Sequence, residues 1–131
     1  MKKIQIRTNQ QVEFLDITSH VTSAIRESGC KEGLCIVFVP HTTAAITINE
    51  NADPSVVRDM KKEINQIVPF DDGYTHMEGN SAAHIKSSLF GVSETIIIEN
   101  NLPVLGTWQG IYFCEFDGPR NRTVYIKIIS S

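Results

Sequence analysis

The chain has 131 residues, 41% hydrophobic and 21% charged, with a formal net charge of −3. That length suits one domain, residues 1–131, burying on the order of two thirds of its unfolded surface, and the composition excludes a disordered chain. The only basic doublets are Lys2-Lys3 and Lys61-Lys62, which argues against nucleic-acid binding, and no apolar stretch approaches the ~18 residues that cross a membrane. Lys3–Arg7 and Val12–Asp16 alternate in polarity and predict a strand pair around the turn Thr8-Asn9-Gln10. Thr18 or Ser19 then caps a short helix with Val21, Ala24 and Ile25 on its apolar side, ended by Gly29 in a left-handed conformation. Leu34–Val39 reads as a buried strand stopped by Pro40, and Ala44–Ile48 as the next strand. Asp53-Pro54 is a helix start, an N-cap followed by proline, and Val56, Val57, Met60, Ile64, Ile67 and Val68 follow at helical spacing up to Pro69.

Pro69–Gly79 is expected to be a functional loop. Asn80 or Ser81 caps a helix through Phe90, closed by Gly91. Four β segments complete the chain, Thr95–Glu99, Leu102–Gly106, Gln109–Phe116 and Arg122–Ile129, with Asp117-Gly118-Pro119-Arg120 joining the last two as a central hairpin. Many β segments with about three inserted helices predict an α+β domain with a largely antiparallel sheet. Cys30, Cys35 and Cys114 are odd in number and lack C-x-x-C spacing. They predict neither a disulfide framework nor a zinc–thiolate site, and fit a reducing cytoplasm. No long apolar segment follows Lys2-Lys3, so no signal peptide is expected.

Three of the four histidines fall in two polar segments, Pro40-His41-Thr42-Thr43 and Tyr74–His84. Imidazoles ligate metals or carry protons near neutral pH. His76 and His84 lie eight residues apart, about 80° in azimuth on one straight helix, but a loop–helix junction at Asn80 lets His76 turn toward the helix start. His41, His76 and His84 can supply a zinc or related divalent ion with three ligands, or donate hydrogen bonds to an anion, although their spacing matches no compact metal motif. The bland reading of each histidine alone is a helix cap or polar corner. Lone His20 reads as surface.

Glu50, at the opposite end of its strand from His41, is a candidate general base or a solvated residue. Trp108 can stack on a ring and Gln109 read its edge, or both serve packing. Arg120 and Arg122 share a strand face with Val124, Ile126 and Ile128, at the mouth of the core. They form a phosphate or carboxylate clamp, or Arg122 pairs with Glu115 or Asp117 as a surface ion pair; spacing leaves the two equal.

The segments Val39-Pro-His41-Thr-Thr43, Ile48-Asn-Glu50, Tyr74-x-His76-x-x-Gly79-Asn80-x-x-Ala83-His84-Ile85, Leu105-Gly-Thr-Trp108-Gln109 and Asp117-Gly-Pro-Arg120-x-Arg122 resemble those of the YjbQ family, also called the secondary thiamine-phosphate synthase family. The resemblance covers nearly the whole chain in order. It implies a β-sandwich-like α+β fold, a homotrimer, and polar pockets near subunit interfaces that bind anions or a divalent metal, Zn or Mg. Carried over by position, the site contains His41, Glu50, His76, Asn80, His84, Gln109, Arg120 and Arg122.

Three functions compete. A transferase joins hydroxymethylpyrimidine pyrophosphate to thiazole phosphate, with Arg120, Arg122 and a histidine-bound or Mg²⁺ cation neutralising the departing pyrophosphate and Trp108 and Gln109 orienting one ring. A metal-assisted hydrolase of a small phosphate ester uses Glu50 as base. A non-catalytic trimeric module only binds a small anion.

Overall fold

The computed structural model describes residues 1–131. Its elements in chain order are β1 (Lys2–Arg7), β2 (Glu13–Asp16), α1 (Thr18–Ser28), β3 (Glu32–Phe38), β4 (Ala44–Glu50), α2 (Pro54–Ile67), α3 (Ser81–Phe90), β5 (Ser93–Glu99), β6 (Leu102–Pro103), β7 (Gln109–Glu115) and β8 (Asn121–Ser130). They build two antiparallel sheets, one of five strands in the order β1-β8-β3-β5-β6 and one of three in the order β2-β7-β4. The α+β class and three helices agree with the expectation from sequence.

The start of α2 and the end of α1 are used as read, but neither Thr18 nor Ser19 caps α1: both lie inside the helix, Ile17 holds the N-cap position without a side-chain bond, and the Thr18 hydroxyl donates to Asp16 Oδ1 instead. Asp53 Oδ1 accepts the Ser55 amide, 2.9 Å, ahead of Pro54 at the first helical turn, and Gly29 closes α1 at φ +70°. Asn80 does occupy the N-cap position of α3, but its side chain makes no capping bond: its Nδ2 donates to Asp117 Oδ2, 2.9 Å, and its Oδ1 is left without a partner. The segment between α2 and α3 has no regular element, as expected of Pro69–Gly79.

Strand pairing departs from the expectation twice. β1 pairs with β8 and β2 with β7, so the first two strands lie in different sheets and form no hairpin. Likewise β7 and β8 do not pair; residues 116–120 carry the chain across from one sheet to the other. Both strands are nevertheless interior, each between two neighbours in its own sheet, but only β7 is covered on both faces, by the core on one and α3 on the other; β8 leaves Thr123, Tyr125 and Lys127 on an open face. The strand after α1 is buried on one face only: Cys35 and Val37 are fully covered while Leu34 and Phe38 stand about 40% exposed. The expected Leu102–Gly106 strand shrinks to two residues.

One core lies between the sheets, where Ile6, Val37, Ile96, Val124 and Ile126 of the large sheet meet Ile46, Ile111 and Phe113 of the small one, with Val21 and Ile25 of α1. The opposite face of β7, with Tyr112 and Cys114, packs with Phe116 on Ala83 of α3. α2 rests on α3 through Ile64, Val68 and Ala82. Thus α3 is clamped between the small sheet and α2, and its solvent side borders the β3–β4 corner that carries His41.

Candidate functional site

The site forms where the two sheets open at one end. Parity turns Arg122 inward from β8, on the same face as Val124 and Ile126, and Glu115 inward from β7, on the same face as Ile111 and Phe113. They meet between the sheets, both essentially inaccessible to water. Arg122 Nε donates to Glu115 Oε1, 2.9 Å, and Nη2 to Glu115 Oε2 and to Thr43 Oγ1, the latter 2.8 Å. Thr8 Oγ1 also donates to Glu115 Oε1, 2.7 Å, and the Asp117 amide to Oε2, 3.0 Å. Burial pushes the Glu115 pKa up, but the Arg122, Asp117 and Thr8 hydrogen bonds outweigh it and hold the carboxyl below its ordinary value. The pair is therefore ionic, and buried rather than on the surface.

Arg120 is anchored differently. Its Nε donates to the Asp117 carbonyl, 2.8 Å, and Nη2 to Asp117 Oδ2, 2.9 Å, with half the side chain exposed. Asp117 is shared with Asn80 Nδ2. The two arginines thus do not make a free cationic pair: Arg122 is committed to Glu115, and Arg120 keeps Nη1 without a protein partner.

His41 Nε2 accepts the Thr123 amide, 3.0 Å. Burial, followed by the Arg122 charge, lowers the His41 pKa. At neutral pH the ring is accordingly neutral, with its proton on Nδ1. His84, on the first turns of α3, and His76, from the loop before it, meet edge to face with ring centroids 5.5 Å apart. The loop–helix junction expected at Asn80 brings them together, which their spacing on a straight helix would not.

These groups surround one cleft of about 480 Å³ whose lining is polar apart from Pro40. His41, His76, Asn80, His84, Arg120 and Arg122 line it, joined by Glu78 and Asp117. The other three residues named from sequence lie elsewhere. Glu50 and Gln109 are directly paired at the far end of the small sheet. That end is about 20 Å from His41 along β4. Gln109 Oε1 accepts the Gly106 amide, 2.7 Å, and Trp108 beside it is 62% exposed. Within one chain, then, Trp108 and Gln109 do not orient a ring in the histidine cleft, and Glu50 is no base for water there.

No three His, Cys, Asp or Glu side chains come close enough together to hold a metal ion. Within one chain His76 and His84 are in contact, and His41 lines the same cleft without being part of such a group. The cysteines are free and buried, and burial raises the Cys35 thiol to about 11 and Cys114 higher still. Neither is a nucleophile near neutral pH. No helix is long and apolar enough to cross a membrane.

Two features escaped the sequence reading. Thr8 fastens the start of the chain to the site: its amide donates to the Arg120 carbonyl and its hydroxyl accepts the Arg120 amide, both 2.9 Å. These partners are 112 residues apart, so no local signal announces them. Lys86 of α3 is wholly buried, its Nζ without a hydrogen-bond partner and 3.3 Å from the Phe70 ring centroid. Only its place on the buried side of the helix, opposite His84 and the exposed Ser88, hinted at that.

A sequence profile described as "UPF0047 protein YjbQ-like" matches residues 2–131. A UPF0047 protein of Methanocaldococcus jannaschii is 58% identical, over 97% of this chain and 92% of its own length. The UPF0047 protein YugU of Bacillus subtilis is 52% identical, over 98% of each. A crystal structure of an uncharacterised YjbQ/UPF0047 protein from Clostridium acetobutylicum superposes with a TM-score of 0.97 at 54% identity, covering 98% of this chain and 100% of that one. A Sulfolobus solfataricus protein described as of unknown function gives 0.96 at 32% identity, covering 99% and 96%.

Proposed function

The chain belongs to the YjbQ-like UPF0047 family, and from that membership together with its histidine–arginine cleft we propose that it binds a small phosphate-bearing metabolite there and forms thiamine phosphate at a low rate. The observation that carries the reading is the cleft's lining, three imidazoles and Arg120 with a free edge, where the Asp117 carboxylate is taken up by Arg120 and Asn80 and Glu78 is the one carboxylate left to oppose an anion. Such a surface suits a pyrophosphate better than a neutral molecule.

In this reading hydroxymethylpyrimidine pyrophosphate places its pyrophosphate against Arg120 Nη1 and the His76 and His84 rings, with His41 at the edge of the cleft. The methylene C–O bond breaks and its electron pair leaves with the pyrophosphate. The aminopyrimidine delocalises the positive charge left on the methylene carbon, and the thiazole nitrogen lone pair forms the new C–N bond. No proton is transferred and no protein nucleophile is needed. Arg120 and the imidazole N–H groups act by strengthening their hydrogen bonds as charge gathers on the leaving group. Arg122 acts at one remove, holding Glu115 and hence the Asp117 backbone that seats Arg120. No step is assigned to a divalent ion, because the donor set does not gather three ligands.

The proposal includes a homotrimer. Glu50, Trp108 and Gln109, remote from the cleft of their own chain, would then approach the cleft of a neighbouring copy.

The test is steady-state product formation from the two precursors by wild type and Arg120→Gln. Turnover is expected in the wild type, falling on the order of a hundredfold in the variant, as for loss of one oxyanion donor. Pyrophosphate binding without any product would leave the non-catalytic anion-binding module.

A further inference from the structure

A second cavity, about 700 Å³, adjoins the polar cleft and shares Pro40, His41, Thr42 and His84 with it. Its other walls differ in kind. Phe38, Val39 and Val92 line one side and Ser87 and Ser88 of α3 the other, with Gly91 at the corner. No charged residue lines it; Arg120, Arg122, Asp117 and Glu78 all belong to the neighbouring cleft.

The cavity is fixed in shape by the backbone around it. Gly91 turns the chain out of α3 at φ +90° with nothing within 4 Å of where a Cβ would stand. The Gly91 carbonyl accepts the Ile46 amide, 3.0 Å, and the Val92 carbonyl the Val39 amide, 2.8 Å, tying this corner to both sheets. Phe38 lies nearly parallel to Tyr125, 7° between planes and 6.5 Å between centroids, so its ring direction is set although 40% of the residue is exposed.

Its polar groups are few and sorted. Ser87 and Ser88 spend their hydroxyl protons on the Ala44 and His84 carbonyls, 2.6 and 2.9 Å, and so offer only lone pairs to an occupant. His41, whose Nε2 is taken by Thr123, offers Nδ1–H. A planar occupant with an amine and a ring nitrogen meets both, the amine donating to a serine oxygen and the nitrogen accepting from His41. The volume is that of an ordinary small-molecule site, mostly apolar with a few placed polar groups.

We propose that this cavity holds the amino-substituted heteroaromatic ring of the ligand whose phosphates occupy the polar cleft, with His41 and His84 at the junction between ring and phosphate. The inference rests on the reading of the cleft as a phosphate site. It replaces Trp108 and Gln109 as the ring-holding residues within one chain.

Titration calorimetry with inorganic pyrophosphate and with hydroxymethylpyrimidine pyrophosphate tests it, in wild type, Ser88→Trp and Phe38→Ala. Ser88 and Phe38 are both exposed enough for folding to be retained, with thermal melting as the check. The wild type should bind the pyrimidine compound at least tenfold more tightly than pyrophosphate. Ser88→Trp, which fills the cavity, should abolish that advantage and leave pyrophosphate affinity within twofold, and Phe38→Ala should reduce the advantage without changing pyrophosphate affinity. Equal wild-type affinities, or an advantage that survives in both variants, would overturn the ring site while leaving the phosphate reading intact. Failure of pyrophosphate itself to bind would remove both.

Discussion

Glu115 and Arg122 show how a single pair can decide what a residue is for. Spacing left Arg122 equally suited to clamp a phosphate or to pair with a carboxylate, and the fold closes two sheets over it, with 5% of its surface exposed and none of Glu115. Arg122→Gln was a natural test of catalysis in a surface arginine; here it strands a buried carboxylate. Its expected cost is about 3–5 kcal/mol of folding stability, the usual result of removing one partner of a buried pair, measured by urea unfolding. A double Arg122→Met, Glu115→Leu variant should recover most of that loss. Equal instability of the single and double variants would mean that the hydrogen bonds from Thr8 to Glu115 and from Arg122 to Thr43, not charge, dominate. Acid should reveal the same pair. Because the folded Glu115 carboxyl titrates below its ordinary value, its contribution is present above about pH 4.5 and is lost as pH falls through the folded pKa. His41, lowered by burial, works in the same direction nearer neutrality. As pH falls below about 6.5 the unfolded chain takes up a proton that the folded ring refuses, until the folded pKa is reached. Urea midpoints from about pH 8 down to about pH 2 should therefore decline in two stages, and His41→Asn should flatten the upper one.

At the scale of elements, α3 carries both the site and a cost. His84 and Ser88 face the cavities, while Lys86 points the other way and buries an ammonium with only the Phe70 ring for company. Burial lowers its pKa to about 8. A cation–π contact is worth roughly 2 kcal/mol when desolvated, less than the penalty of burying an ammonium without hydrogen bonds. Lys86→Met, keeping the length and packing on Phe70, should accordingly stabilise the protein by about 1–3 kcal/mol. The gap should be widest below pH 8, where the folded chain must hold the proton, and should narrow as pH rises toward 10.5, since the unfolded lysine then still binds a proton that the folded one has released. A destabilised variant would show that the ammonium has a partner worth more than its burial. The crossover between β7 and β8 is the second element with a sharp requirement. A Cβ on Gly118 would stand 2.2 Å from the Gln10 carbonyl oxygen and 2.9 Å from Thr8 Oγ1. Gly118→Ala must push the first turn away from the site, and a loss of about 1–3 kcal/mol follows from overpacking of this kind. It should also weaken pyrophosphate binding, because Thr8 holds the Arg120 backbone. An unchanged melting temperature would remove Gly118 from that role.

Over the whole molecule, the motif residues divide between two ends of the small sheet, and the large sheet leaves one face bare. Leu34 lies directly between Ile97 and Ile129 on adjacent strands, all three 41–59% exposed. A row of that kind is what an assembling protein covers. In line with the proposed homotrimer, light scattering at micromolar concentration should give three times the 14.6 kDa chain mass. Ile97→Lys and Trp108→Ala, one from each exposed region, should separate which region is buried between copies. A monomer mass for the wild type would end the trimer proposal and leave Glu50, Trp108 and Gln109 without a cleft to approach.

Much of this was written locally. Asp53-Pro54 starts α2, Gly29 ends α1, and the unbroken apolar run of β7 marks it as covered on both faces, because capping bonds, left-handed glycine and two-sided burial depend on residues within a few positions. The two-residue period of a strand also placed Arg122 on the face of Val124 and Ile126. Alternation says which face is buried but not which strand lies alongside, so it misassigned β1 to β2 and β7 to β8, each pair split between sheets in the structure. For the same reason the gathering of His41 with His84, the commitment of Arg122 to Glu115, the burial of Lys86, and the separation of Trp108 and Gln109 from the histidines were decided only by tertiary structure. Each depends on contacts between residues brought together by the packing of two sheets and three helices, where burial and charge pairing compete, and that competition leaves no trace in spacing along the chain.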